Sequence, residues 1–91
     1  MTLKVAYSGQ FKRDLKTIQK RGKDITKLKI LMCLLVENRP LPAFYLDHPL
    51  RGKWRSFRDA HIEPDWLLIY KKDSQEIRFE RTGRHTDLFQ Q

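Results

Sequence analysis

The apolar positions change period along the chain, and the changes mark the elements. Leu3, Val5 and Tyr7 alternate with Lys4 and Ala6, the two-residue period of a short strand with one face buried. Ser8-Gly9 interrupts the alternation, and Ser8 suits the N-cap of a helix. Phe11, Leu15 and Ile18 then recur at helical spacing among Lys12, Arg13, Lys16, Lys20 and Arg21. That amphipathic helix ends near Gly22, whose freedom at positive φ fits a helix C-terminus. Asp24 can cap a second helix, whose apolar stripe is Ile25, Leu28, Leu31, Met32 and Leu35. The stripe widens after Ile30, so the second half is expected to be the more buried. Gly22-Lys23 leaves room only for a tight turn, which predicts an antiparallel helical hairpin.

Asn38-Arg39-Pro40-Leu41-Pro42 ends the second helix in a stiff connector. Residues 45–52 read as a loop. Residues 53–58 alternate, with Trp54, Ser56 and Arg58 on one face and Arg55 and Phe57 on the other, which predicts a strand. Residues 66–71 form a strong buried strand, and Lys72-Asp73-Ser74-Gln75 a hairpin turn. Ile77, Phe79 and Arg81 alternate with Arg78 and Glu80 in a final strand, which Thr82-Gly83 breaks. Residues 85–89 close as a short tail or helical turn. The order β-α-α-β-β-β predicts an α+β fold: an N-terminal strand and a helical hairpin packed on a mainly antiparallel four-stranded sheet. There is no internal repeat or linker, and 91 residues are expected to form one domain spanning residues 1–91.

Charge adds a partner class. The net charge is +8, and residues 11–30 hold eight Lys and Arg against two Asp. A basic excess of this size favours a polyanion, most often nucleic acid. The lysines are either the wet face of an amphipathic helix pair or a surface that tracks phosphates. The one cysteine, Cys33, lies in an aliphatic run and reads as a core residue rather than a nucleophile; it has no partner for a disulfide. The N-terminus lacks the pattern of a secretion signal, and residues 30–36 are the longest apolar run, short of the roughly twenty a membrane span needs. The expected location is the cytoplasm, with no membrane contact.

Candidate chemistry gathers at polar positions late in the chain. His48, His61 and His85 are all the histidines, and each sits in a polar loop or at a strand end. His61-Ile62-Glu63-Pro64 matches the start of the zinc-deaminase signature, but the Cys-x-x-Cys that must come after it is absent. No other metal-ligand spacing, nucleophile elbow or glycine-rich phosphate loop is present, so neither metal nor cofactor is expected. Metal-free acid/base chemistry is left. RNA carries its own nucleophile in the 2′-hydroxyl, and an enzyme need only move two protons and steady the phosphorane. Histidine suits both proton roles, aspartate can act as base or orient a histidine, and arginine forks onto phosphate. An aromatic side chain can stack a splayed base. His48, His61, His85, Asp65 and Arg81 supply the first set, and Trp66 or Phe89 the aromatic. Trp66 is equally placed to be core.

Three stretches then resemble a known family. Asp47-His48-Pro49-Leu50, the run from Arg58-Asp59-Ala60-His61 through Ile62-Glu63-Pro64-Asp65-Trp66 to Leu67-Leu68-Ile69-Tyr70, and Arg78-Phe79-Glu80-Arg81-Thr82-Gly83 with His85 are similar to the YafQ-type branch of the RelE/ParE toxin superfamily. Tyr7-Ser8-Gly9-Gln10-Phe11 and Lys27-Leu28-Lys29 fit it too, so the resemblance covers nearly the whole chain. It implies a bacterial type II toxin: an endoribonuclease that cuts mRNA in the ribosomal A site, beside ribosomal RNA. It also implies a cognate antitoxin, and operator DNA as a target of the toxin–antitoxin complex only. The positions matching the family's active site are His48, His61, Asp65, Trp66, Arg81, His85 and Phe89, with Asp59 matching in a less defined role. His85 is the expected leading acid/base. Asp65 with His61 or His48 would take the other proton role, and Arg81 the phosphate. The rival classes are a gyrase-directed toxin of the same superfamily and a basic RNA-binding module without activity.

Overall fold

The structure, a computed structural model, describes residues 2–89. β1 (Lys4–Tyr7) leads into α1 (Gly9–Lys20), capped by Ser8, whose hydroxyl accepts the Phe11 N–H. α2 (Ile25–Val36) is next, capped by Asp24 through the Thr26 N–H. Then come β2 (His48–Pro49), β3 (Arg58–Glu63), β4 (Trp66–Lys72), β5 (Glu76–Gly83) and a one-turn helix, α3 (His85–Leu88). The sheet order is β1-β5-β4-β3-β2, with β1 parallel to β5 and every other pair antiparallel.

The α+β class and the mainly antiparallel sheet are as the pattern predicts, and three local expectations are corrected. The sheet has five strands, because His48–Pro49 pairs with Arg58 and Asp59 inside the expected loop. Residues 53–58 do not form a strand: Gly52–Trp54 is a 3-10 turn, and the strand begins at Arg58. Bonds from Trp54 N–H to Arg51, Arg55 N–H to Gly52 and Phe57 N–H to Trp54 wind this stretch in steps of three. That spacing brings Trp54 edge-on to Phe57, a contact that alternation would forbid. Cys33 is exposed rather than core. The buried stripe of α2 is Leu28, Leu31 and Leu35, and Cys33 stands two residues, about 200° of helix, from the latter two. Ile30 is likewise exposed, but beyond it Met32, Leu34 and Val36 pack partly buried beside Leu31 and Leu35, so the second half is the more buried, as expected.

The sheet carries a core on each face. Leu28, Leu31, Leu35, Phe11 and Ile18 of the two helices pack against Trp66, Leu68, Tyr70, Ile77 and Phe79. On the opposite face Leu67 and Ile69 pack with Leu88 under Leu50, Trp54, Phe57 and Phe89. Residues 66–70 are all buried, as a strand covered on both sides must be. Among the described residues, no helix is long and apolar enough to cross a membrane.

Candidate active site

The second face is where the chemistry gathers. His48 stands opposite Asp59, Asp59 opposite Ile69, and Ile69 opposite Arg81, so one row crosses four strands. The next row holds His61, Leu67 and Gly83. Alternation puts both rows on the face away from the helices, with apolar Leu67 and Ile69 as the floor between the polar members.

His48 is fixed by its own loop. Its Nδ1 lies 2.8 Å from the Leu46 carbonyl oxygen, which can only accept, so Nδ1 carries the proton and Nε2 is left to accept one. Asp59 Oδ1 lies 3.2 Å from the same nitrogen, close enough to stabilise a charged imidazole but without a hydrogen bond of its own. The loop is pinned by Asp47, which accepts from the Tyr70 hydroxyl at 2.6 Å and from Arg58. Burial and this hydrogen bond push the Tyr70 phenol up, so it stays a donor.

Asp59 is 3% exposed. Burial raises its carboxyl above the usual range, and His48, His61 and His85 all bear on it in the opposite sense. The three histidines line one cavity with this carboxylate. The rings of His48 and His61 stack 6.0 Å apart, and His61 Nδ1 is buried with no partner among the described residues. His85 opens α3 and rests against Phe89, ring centres 5.1 Å apart. A cavity of about 340 Å³ is lined by all three histidines, Asp59, Trp54 and Phe89 among others.

Three expected members stand elsewhere. Trp66 is corrected: it is fully buried on the helix face and its indole N–H donates to Thr82 Oγ1 at 2.9 Å, so it is core and cannot stack a base. Asp65 does not line the cavity; it lies in the β3–β4 turn, where Oδ1 accepts the His85 backbone N–H at 3.0 Å and so places that histidine. Arg81 opens into the neighbouring cavity, which shares Trp54 and Phe89 with the first.

Arg81 is held from behind. β1 ends at Tyr7, so beyond Phe79 the edge of β5 has no strand beside it. Ser8 and Asp14 of the α1 segment take its place: Ser8 Oγ donates to the Glu80 carbonyl, and Asp14 Oδ2 accepts the Thr82 N–H at 3.1 Å. Asp14 also receives Arg81 Nε at 2.8 Å and one terminal nitrogen at 3.2 Å. Among the described residues the other terminal nitrogen has no hydrogen-bond partner, which leaves both its N–H groups to donate.

α3 is tied down equally firmly. Arg21 donates to Asp87 at 2.7 and 3.2 Å, and Asp87 accepts the Arg84 N–H at 2.9 Å. The Arg21 hydrogen bonds lead in holding the Asp87 carboxyl below the usual range. A Cβ on Gly83 would lie 3.2 Å from that of Asp87, so only glycine lets α3 approach β5 so closely.

Asp14, Asp47 and Trp54 are site residues that sequence reasoning misses. Asp14 and Asp47 look like ordinary surface acids, and nothing in the pattern says that the chain will bury Asp14 and half-bury Asp47. Alternation assigns Trp54 to a strand that does not form. Among the described residues, no group of three or more His, Cys, Asp or Glu side chains converges as metal ligands do.

Residues 3–90 match the model of the family described as bacterial toxin of type II toxin-antitoxin system, YafQ. The mRNA interferase toxin YafQ of Escherichia coli K12 is 59% identical over 86 residues, 93% of this chain and 94% of that one. Among solved structures, YafQ from E. coli BL21(DE3) superposes with a TM-score of 0.93 at 57% identity, covering 96% and 98% of the two chains. YafQ in the E. coli DinJ-YafQ toxin-antitoxin complex gives 0.92 at 57% identity, covering 98% and 99%.

Proposed function

The chain belongs to the YafQ family of bacterial type II toxins, and on that premise we propose that it is an endoribonuclease cutting mRNA in the ribosomal A site. One observation carries the reading. Among the described residues, the buried side-chain atoms without a hydrogen-bond partner are Trp54 Nε1, Asp59 Oδ1 and His61 Nδ1, and their three residues line one cavity with His48 and His85. Buried polar groups are rarely left unpaired. Such a cluster suits a site whose partners arrive with the substrate.

One order of steps fits this arrangement of side chains. His48 Nε2 takes the 2′-hydroxyl proton, and the Asp59 carboxylate 3.2 Å from Nδ1 stabilises the imidazolium that forms. The 2′-oxygen attacks phosphorus, and the bond to the 5′-oxygen breaks. Protonated His85 gives its proton to that leaving oxygen, and the products are a 2′,3′-cyclic phosphate and a 5′-hydroxyl. His61, stacked beside His48, supports the proton transfer. Asp65 places His85 through its backbone, Phe89 carries the His85 ring, and Arg81 stabilises the phosphorane from the adjoining cavity. No metal or cofactor enters these steps.

The partners proposed are a cognate antitoxin, as DinJ is for the E. coli relative, and the mRNA and ribosomal RNA of the A site. Operator DNA is proposed for the toxin–antitoxin complex only, and the cytoplasm is where these targets lie. The test is expression of the wild type and His85→Ala, with 5′ ends mapped in translated messages. The wild type is expected to arrest growth and create new ends. His85→Ala is expected to fold and to cut at least ~100-fold more slowly, the lower range for a lost acid/base group. Growth arrest with intact messages would favour the gyrase-directed alternative.

A further inference from the structure

The larger of the two joined cavities has no part in the proton transfers. It measures about 570 Å³ and is lined by Gln10, Lys53, Trp54, Arg81 and Phe89 among others. That lies within the roughly 300–1,000 Å³ of small-molecule sites. Trp54 and Phe89 meet edge-on, ring centres 6.3 Å apart, and form a ridge bordering both cavities. Three features beyond the volume point to a ligand. Trp54 Nε1, on the ridge that borders both cavities, is buried and donates to nothing among the described residues, so an acceptor is due there. Arg81 is locked to Asp14 by one edge, and its other terminal nitrogen has no partner among the described residues. Lys53 is exposed at the rim and takes part in no ion pair among the described residues.

We infer that this cavity is the subsite for the nucleotide next to the cleaved bond. The chain of the RNA crosses the Trp54–Phe89 ridge. The scissile phosphate lies on the histidine side, within reach of Arg81, and the neighbouring nucleotide drops into the larger cavity. Trp54 Nε1 donates to an oxygen of that nucleotide, and Lys53 meets its phosphate. This rests on the endoribonuclease reading and goes beyond it, because it assigns Trp54 and Lys53 to substrate and gives the enzyme a place to sense the adjoining base. The source of the signal is physical rather than motif-based: an unpaired buried donor, two cations and an aromatic wall converge on one space.

The experiment uses ribosomes carrying a defined message, with cleavage rate measured against ribosome concentration. Trp54→Phe keeps an aromatic ring and removes the N–H, and Lys53→Ala changes an exposed side chain that contributes little to folding. Each is expected to raise KM about tenfold, the value of one hydrogen bond or charge contact. Each should leave kcat within about threefold, and Trp54→Phe alone should spread cleavage over more codons, since the phosphate that Lys53 meets is common to all of them. A merely structural Trp54 would instead lower kcat through the folded fraction and leave KM alone. If Trp54→Phe fails to fold, Lys53→Ala decides. Unchanged KM in Lys53→Ala, or unchanged KM and an unchanged cleavage profile in folded Trp54→Phe, would overturn the subsite. Failure of the wild type to cut at all would overturn the endoribonuclease reading and the subsite with it.

Discussion

Asp14 offers the sharpest test of how the site is built, because it lies on the far side of the sheet edge from any substrate. Its carboxylate accepts from Arg81 twice, from the Thr82 N–H and from Gln10 Nε2 at 3.0 Å. Asp14→Ala strands the buried Thr82 N–H, at a cost of about 1–3 kcal/mol. It also leaves the Arg81 guanidinium, 21% exposed, without its counter-charge. Breaking a buried pair costs about 3–5 kcal/mol, and partial exposure reduces this share to about 1–2 kcal/mol. The sum is about 3 kcal/mol, or about 12–24 °C in the melting midpoint of a domain this size. Asp14→Asn keeps an acceptor for Thr82 and removes the charge, so it should melt closer to the wild type while cleavage falls about tenfold toward the level of Arg81→Ala. A double-mutant cycle in thermal stability isolates the contact: Asp14→Ala and Arg81→Ala should couple by about 1–2 kcal/mol. Additivity within about 0.5 kcal/mol, or full cleavage by Asp14→Asn, would refute the claim that Asp14 places Arg81.

Two further changes probe the cavity and its wall. Burial raises the Asp59 carboxyl, so the folded chain binds that proton more tightly than the unfolded chain, and stability from this group falls as pH rises through the folded-state value. Asp59→Asn should therefore melt higher than the wild type at pH 7, with the gain shrinking as pH drops toward about 4, the carboxyl's unfolded value. Its cleavage rate should drop, since His48 loses its counter-charge. Parallel melts over that range check the sign, and a lower midpoint at pH 7 would contradict it. Gly83→Ala forces a Cβ to 3.0 Å from Asp87 Oδ2 and should cost about 1–3 kcal/mol. It should also shift the His85 and Phe89 resonances in NMR spectra while those of β1 stay in place.

Much of the fold comes from local pattern. The Ser8 and Asp24 caps, the stripes of α1 and α2, the unbroken apolar run of β4 and the alternation of β5 are each decided by residues within one turn or one pleat. The exceptions are instructive. Residues 53–58 alternate like a strand, yet contacts at three-residue spacing and the positive φ of Gly52, +66°, wind the start of that stretch into a 3-10 turn. Cys33 sits in an aliphatic run, but its angular position on α2, not its neighbours in sequence, decides its exposure.

The sequence by itself determined the α+β class, the element order around two helices, and the residue types able to move protons on RNA. These depend on periodicity, caps and side-chain chemistry, which are local properties. Only the tertiary structure decided which of those residues meet. Register placed His48, Asp59 and Arg81 in one row with apolar Ile69 between. Strand parity sent Trp66 to the helix-side core, and the turn that begins at Gly52 delivered Trp54 to the cavities. The buried Asp14 beneath Arg81 is the clearest case. Its partner is 67 residues away in the chain, and no window of sequence reports on a contact that exists because β1 stops short of the point where the edge of β5 needs a new acceptor.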